Sequence, residues 1–166
     1  MKNAATICAY LVQYAAPSLS DLTDKHLALT SGTGGKTAGW ILGHLCVTGD
    51  FMRRRLGRPP LTLKDWGPAF APGSKPPTAD ADYPRMSDLR RAFDEIYRDL
   101  AAAAPTVSAE VLDSVNPVEF ARGRFPTFGE FLCYIMTGHL GYHLGQLSEW
   151  RSAVGLPLRP GAKAAI

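Results

Sequence analysis

Cysteine is scarce in this 166-residue sequence, and the cysteines present form no familiar pattern. The three of them lie far apart with no C-x-x-C pair, which disfavours a disulfide framework and favours a reducing cytoplasm. The N-terminal segment MKNAATICAY lacks a sustained apolar stretch, so we do not expect export. Basic residues form no stripe and the net charge is only +3, which argues against a nucleic-acid partner.

An apolar run of the kind that spans a membrane is also missing. The uncharged segment FLCYIMTGHLGYHLGQL, residues 131–147, has 17 residues, whereas a spanning helix needs about 20. This segment also contains two histidines and a glutamine, so we expect the central helix of a water-soluble bundle with no membrane partner. The length, with 46% hydrophobic and 20% charged residues, predicts one domain over residues 1–166.

Apolar residues recur at steps of three and four along most of the chain, which predicts an all-α fold of four long helices. The predicted helices cover residues 2–16, 38–56, 87–104 and 127–154. Pro17 should interrupt the first helix, and a second helical piece should follow at residues 18–29. We find no pair of strand-like segments and no internal repeat.

Capping patterns mark the starts of three of these helices. Thr37 and Ser87 are placed to cap the second and third, and Thr127 forms a capping-box pattern with Glu130 at the fourth. Residues 58–85 contain seven of the 13 prolines, so a regular helix or a central strand cannot continue for long in this segment. We therefore expect an ordered, proline-rich crossover between the second and third helices.

Two further polar features are expected at the surface. His26 lies among polar neighbours, which is typical of a solvent-exposed histidine. The arginine run at residues 53–55, followed by Arg58, ends the second helix. There its positive charges should interact favourably with the C-terminal end of the helix dipole and remain in water. Anion binding is the less favoured alternative.

The apolar segment 131–147 has two histidines, His139 and His143, on one helix face. A four-residue step turns a helix by about 400°, which leaves the two imidazoles one above the other. This spacing can offer two ligands to one metal ion, but it is equally compatible with two hydrogen-bonded core histidines. Tyr142 is expected on the same inner face, where it would line a pocket rather than act as a catalytic acid.

His44 falls on the apolar stripe of the second helix, beside Trp40 and Ile41. A lone histidine there would be a core residue, but with His139 and His143 it completes a set of three inward imidazoles. Two ligands from one helix and one from another are typical of a metal site that keeps open positions. Cys46 lies about 200° around the helix from His44, which argues against a ligand role for its thiol.

The sequence resembles the DinB/YfiT-like superfamily of metal-binding four-helix bundles. The matching motifs are GWILGHL at residues 39–45, HLGYHLGQL at residues 139–147 and the pattern R-x-x-x-G-L-P at residues 151–157. The resemblance implies an up-down-down-up four-helix bundle that frequently forms homodimers. It further implies a site of His44, His139 and His143 for zinc or nickel, completed by water. The proline-rich residues 58–85 depart from the family pattern and are where substrate specificity would be decided.

Characterised members of that family are thiol-dependent transferases and isomerases that use bacillithiol, mycothiol or glutathione. The resemblance therefore implies a metal-dependent transferase acting on a small-molecule substrate with a low-molecular-weight thiol. Gln146 is a candidate to orient a ligand, although a backbone-satisfied core amide is the alternative. The alternatives for the whole chain are a metal-dependent hydrolase, a non-enzymatic metal-binding or stress-response protein, and a metal-free helical protein with core histidines. No residue stands out as a general base.

Overall fold

The computed structural model describes residues 1–32 and 35–158, and within those ranges the chain is all-α. The helices are α1 (Lys2–Ser20), α2 (Ala38–Arg55), α3 (Trp66–Phe70), α4 (Met86–Ala103), α5 (Ala109–Leu112), α6 (Phe128–Tyr134) and α7 (Leu140–Ala153). A π-helical turn, Ile135–His139, joins α6 directly to α7. Pairing of the β type is limited, in the described ranges, to one bridge between Val115 and Thr127. None of these helices is long and apolar enough to cross a membrane.

Helix α1 continues through Pro17, so the predicted interruption there is wrong. A proline inside a helix removes one backbone hydrogen bond, and contacts from elsewhere in the fold must offset that loss. Here the guanidinium of the buried Arg151 donates to the carbonyl oxygen of Ser18 over 2.7 Å, and Leu19 packs in the core. Beyond α1, the predicted helical piece is reduced to the 3₁₀ turn Asp24–His26.

Local capping signals identified the starts of two helices. The hydroxyl oxygen of Thr37 accepts from the backbone N–H of Trp40 over 3.2 Å, which confirms the cap of α2. At α6 the capping box is complete, because Thr127 and Glu130 each accept the other's backbone N–H. Both caps depend only on neighbouring residues, which explains why the sequence revealed them.

The cap predicted at Ser87 is wrong, because α4 begins one residue earlier. The backbone N–H of Met86 donates instead to the carboxylate of Asp24 over 2.8 Å. His26 is also buried, with its ring centroid 6.3 Å from that of Trp150 in α7, so the prediction of a surface histidine is wrong as well. Its Nδ1 accepts from the backbone N–H of Thr23 over 3.0 Å. Both corrections arise from contacts between segments that are distant in sequence.

Helix α2 lies at the centre of the fold, against α3, α4 and α7, while α1 packs against α4 and α7. Gly49 permits the close approach of α2 and α4, because a Cβ atom there would lie 2.6 Å from a methyl carbon of Ile96. The buried side chains of these helices form one continuous hydrophobic core. The face of α2 that carries His44 is therefore enclosed by α3 and α7.

The segment that follows α2 packs and hydrogen-bonds against that helix. The ring of Phe70 lies on Gly43, where a Cβ atom would come within 2.5 Å of it. The carboxylate of Asp50 accepts from the backbone N–H groups of Leu61 and Thr62 and from the Thr62 hydroxyl. These contacts hold a proline-rich stretch in one position beside the inner face of α2.

Arg53 is buried, so the predicted exposure of the arginine run is wrong at this residue. Its guanidinium donates to Asp50 over 2.8 Å, to Asp99 of α4 over 2.8 Å and to the carbonyl oxygen of Pro59. The neighbouring Arg54 remains about half exposed, at 49%, as expected. A buried guanidinium with several acceptors is well satisfied, and it joins α2, α4 and the proline-rich segment.

Arg151 makes the corresponding connection at the end of α7, where it is fully buried. It donates to both carboxylate oxygens of Asp21 over 2.7 and 2.8 Å, to the carbonyl oxygen of Ser18 and to that of Pro157. Its hydrogen bonds hold the pKa of the Asp21 carboxyl below its ordinary value. The bidentate pair thus ties α1, α7 and the chain after α7 together.

Asp21→Asn should lower the free energy of unfolding at pH 7 by about 3 kcal/mol, because Arg151 keeps a buried charge without its carboxylate. The lowered pKa means that the unfolded carboxyl takes up protons more readily than the folded one. Its stabilisation is therefore present above the ordinary pKa of about 3.9 and is lost as pH falls below it. Urea unfolding at pH values from 7 to 3 should show that the difference in unfolding free energy between wild type and Asp21→Asn becomes smaller as the pH falls.

Asp88→Asn is the matched control, because Asp88 forms an exposed ion pair with Arg91. This variant should remain close to the wild-type stability at every pH. A difference between Asp21→Asn and wild type that stays constant down to pH 3 would contradict the role given to the Asp21 charge.

Candidate metal centre

Three histidines from two helical segments meet inside the fold. His44 comes from α2, His139 ends the π turn and His143 lies in the first turns of α7. All three are at least 90% buried, and one ring nitrogen from each lies within 4.8 Å of the others. The structure therefore brings together the three residues that the sequence singled out.

The distance between His44 Nε2 and His139 Nε2 is 3.2 Å. Two metal–nitrogen bonds of about 2.0–2.1 Å at a tetrahedral angle place the nitrogen atoms about 3.3–3.4 Å apart. The observed separation is thus close to that of two imidazoles on one ion. A ring nitrogen of His143 completes the group, with its ring centroid 4.7 Å from that of His44.

A carbonyl oxygen orients the imidazole of His44. Its Nδ1 lies 2.8 Å from the backbone oxygen of Phe70, and since a carbonyl oxygen only accepts, Nδ1 carries the proton. The Nε2 atom is then left with a free lone pair toward His139. The indole of Trp40 stacks on the same ring at 4.8 Å and 6°, which fixes the ring plane.

An amide orients His143 in the same way. Its Nδ1 lies 2.8 Å from Gln146 Oε1, and the amide nitrogen of Gln146 donates to the hydroxyl oxygen of Tyr142 over 3.1 Å. Gln146 therefore contacts a candidate ligand, in place of the backbone partner that was the alternative. Tyr142 itself is 63% exposed, so the prediction that it lies on the inner face is wrong.

His139 is the least satisfied of the three residues. Its Nδ1 atom is buried and has no hydrogen-bond partner among the described residues. Burial and the two neighbouring imidazoles lower the pKa of His139 to about 3, and burial lowers the pKa of His143 to about 4. The pKa of His44 is lowered by burial as well. All three rings are consequently neutral at pH 7, the form in which imidazole binds a metal.

The π turn is one part of the site that the sequence did not reveal. A π turn widens the helix and shifts its phase locally, so this turn sets how α6 is rotated relative to His139 and to His143 in α7. Gly138 lies in this turn, and the hydroxyl of Thr137 donates to the carbonyl oxygen of Cys133 over 2.7 Å. Such turns occur often at functional sites, but their sequence signal is weak.

The donor set fits a divalent metal ion. It consists of three neutral imidazoles, and the thiol of Cys46 points away from it, toward the carbonyl oxygen of Leu89 at 3.5 Å. Asp50, the buried carboxylate of α2, is occupied by Arg53 and the proline-rich segment. Among the described residues no fourth His, Cys, Asp or Glu joins the cluster, and three imidazoles leave coordination positions open for water or a substrate, as in catalytic sites.

An all-α fold that gathers three buried histidines defines a class of helical metal-site proteins. A sequence profile of the DinB superfamily matches residues 13–147, a range that covers most of the chain and all three histidines. The chain therefore belongs to the DinB superfamily, which confirms the resemblance seen in its histidine motifs. Neither a protein of curated function nor a solved structure matches the chain.

Removing one histidine should abolish stoichiometric metal binding. We expect the wild-type protein, purified without a polyhistidine tag and loaded with zinc or nickel, to retain about one ion per chain. His143→Gln should retain much less, because Gln cannot replace the imidazole nitrogen. Elemental analysis after gel filtration measures this content, and His26→Gln is the control because His26 is a buried histidine outside the cluster. Equal metal content in both variants would contradict the assigned site.

Gln146→Leu should weaken metal affinity by about 10–100-fold without removing a ligand, because His143 loses the acceptor that holds its ring. Competition with a chromophoric chelator measures the affinity. The control Gln13→Leu replaces an exposed glutamine of α1 and should leave the metal affinity unchanged. If the Gln146 variant binds as tightly as wild type, Gln146 does not orient His143 for the ion.

Proposed function

We propose that the protein binds one divalent metal ion at His44, His139 and His143 and acts as a metal-dependent transferase with a low-molecular-weight thiol. The observation that carries the proposal is the convergence of three neutral, buried imidazoles with no fourth protein ligand in the described cluster. A purely structural zinc site is normally closed by four protein ligands, whereas an open position favours chemistry. The thiol comes from the family resemblance.

Zinc and nickel are the proposed ions, because imidazole nitrogens suit both and the described part of the chain adds no thiolate or carboxylate to the set. A bound ion of this kind lowers the pKa of a coordinated thiol or water and so makes a nucleophile available near neutral pH. The chain's own contribution is to hold the ligands. The Phe70 carbonyl and the Gln146 amide each keep a proton on Nδ1, so that Nε2 of His44 and of His143 stays free.

The helix path that we propose is an up-down-down-up four-helix bundle formed by a single domain over residues 1–166. Contacts along α2 and α4 support a parallel pair, because Cys46 lies opposite Leu89 and Arg53 opposite Asp99. A parallel pair requires the proline-rich stretch at residues 58–85 to cross from one end of the bundle to the other. Contacts between α1 and α4 support opposite directions, because Cys8 lies near Tyr97 and Leu22 near Arg90. Contacts between α1 and α7 support the same direction, because Leu11 lies near Gly141 and Ser18 near Arg151.

A homodimer in the cytoplasm is part of the proposal. Exposed apolar side chains of α1 and α7 support it, since Ile7, Tyr10 and Tyr142 are each about half exposed or more. Leu11 of α1 lies against Gly141 of α7, so the two helices present adjacent surfaces. Apolar surface of this kind is stabilised when a second copy covers it.

The activity test uses the metal-loaded protein with a panel of thiols, namely glutathione, mycothiol and bacillithiol, and the electrophile monochlorobimane. Turnover should require both metal and thiol. His143→Gln should lower kcat/KM by at least about 100-fold, while His26→Gln should retain the wild-type value. Electrospray mass spectrometry of the product identifies the thioether.

Two outcomes would overturn the proposed transferase. Turnover of an ester or amide substrate that ignores added thiol would assign the ion to hydrolysis. Full metal occupancy with no turnover, together with a lower melting temperature for His44→Ala, would assign it to structural metal binding alone.

A further inference from the structure

An apolar cleft of about 230 Å³ is lined by residues that lie close in sequence to those of the metal centre. Two walls are helical, with Val47 and Phe51 on α2 and Phe131 and Ile135 on α6 and the π turn. A third wall is formed by the start of the segment after α3, at Ala71 and Pro72. The cleft thus lies between the same three elements that position the histidines.

Three of the lining segments lie within four residues of a residue of the metal centre. Ile135 precedes His139 by four residues within the π turn, and Thr48 follows His44 by one helical turn, with its hydroxyl on the His44 carbonyl oxygen at 2.8 Å. Ala71 follows Phe70, whose carbonyl oxygen holds the imidazole of His44. A helical turn rises about 5.4 Å, so a small molecule that contacts Thr48 or Ile135 would lie about one turn from His44 or His139.

The mouth of the cleft exposes an aromatic ring. Phe120 lines the cleft and is 83% exposed, although it belongs to the short turn Glu119–Ala121 that is otherwise anchored by the buried Ala121. Exposed aromatic surface costs about 25 cal/mol for each Å² left in water. A bound apolar molecule would cover this ring, which indicates that the occupant of the cleft is apolar.

A cationic side chain lines this apolar cleft. Arg54 lines it, and its side chain is 49% exposed. Its nearest carboxylate, Asp50, lies 3.7 Å away and is already bonded to Arg53 and to Thr62. Arg54 therefore has donors available in a fork that matches a carboxylate.

We propose that this cleft binds the acceptor substrate of the reaction, and that the substrate is a small aromatic or branched apolar carboxylate whose acid group pairs with Arg54. The inference rests on the proposed function and adds the chemical class of the second substrate. The volume sets the size, because an engineered cavity of about 150 Å³ holds benzene. A cleft of 230 Å³ has room for one substituted ring.

The probe for this proposal is 3-phenylpropionate, with neutral 3-phenylpropionamide as its matched analogue. Isothermal titration should show that the wild-type protein binds the acid more tightly than the amide. Arg54→Gln should weaken binding of the acid by about tenfold or more and change binding of the amide by less than about twofold. Arg98→Gln, which removes an exposed arginine of α4, should change neither.

Two further variants test the cleft itself. Phe120→Ala should weaken the binding of both probes. Val47→Trp should abolish their binding, because the indole fills the cleft. Thermal melts establish that each variant is folded. The proposal is overturned if the acid and the amide bind equally, if neither binds at millimolar concentration, or if Arg54→Gln has no effect. A dimer that dissociates in Val47→Trp would assign the cleft to a second copy of the chain and would also overturn it.

The titration is performed on metal-loaded protein and on protein treated with a chelator. Binding should persist without metal, because the acid pairs with Arg54 rather than with the ion. Loss of binding on metal removal would show that the ion held the acid, which contradicts the proposal. Because this titration needs neither metal nor thiol, a failure of the transferase assay can be distinguished from a failure of the probes to bind in the cleft.

Discussion

The burial of three imidazoles in one cluster is the constraint on which the rest of the structure depends. Each ring is taken from water and placed beside two others, so its charged form is disfavoured and its nitrogen atoms need partners. Two rings find a fixed acceptor for Nδ1, in Phe70 and in Gln146. The lone pairs that remain face one another, an arrangement that a shared cation stabilises.

The surrounding fold keeps this cluster in place. Gly43 and Phe70 bring α3 against α2 so closely that the carbonyl oxygen of Phe70 reaches His44. At opposite ends of the helices, the buried guanidinium of Arg53 joins α2 to α4 and that of Arg151 joins α1 to α7. Buried ion pairs of this kind contribute little net stability, but removing one partner is costly, so they favour one helix arrangement over others.

The helices, two of the caps and the candidate ligands could be predicted from the sequence because their signals are local. Apolar periodicity and the capping box at Thr127 involve residues that are neighbours in the chain. The failures share the opposite property. Pro17 stays helical, and Ser87 does not cap α4, because Arg151 and Asp24 reach them from distant segments. Exposure of His26 was predicted wrongly for the same reason.

Of the candidate site, the sequence predicted only the three histidines that the fold brings together. Spacing places His139 and His143 on one face, but it does not reveal the π turn before them, since such turns have a weak sequence signal. The Phe70 carbonyl could not be foreseen either, because any residue offers a backbone oxygen. The apolar cleft likewise combines side chains from four separate segments.

The most direct test of the three-imidazole site is X-ray absorption at the metal edge of the loaded full-length protein. We expect three imidazole nitrogens at about 2.0–2.1 Å, with the remaining positions filled by oxygen from water. The imidazole contribution should fall by one ring in His143→Gln. A first shell that contains sulfur, or one that keeps the same number of imidazoles in that variant, would contradict the account.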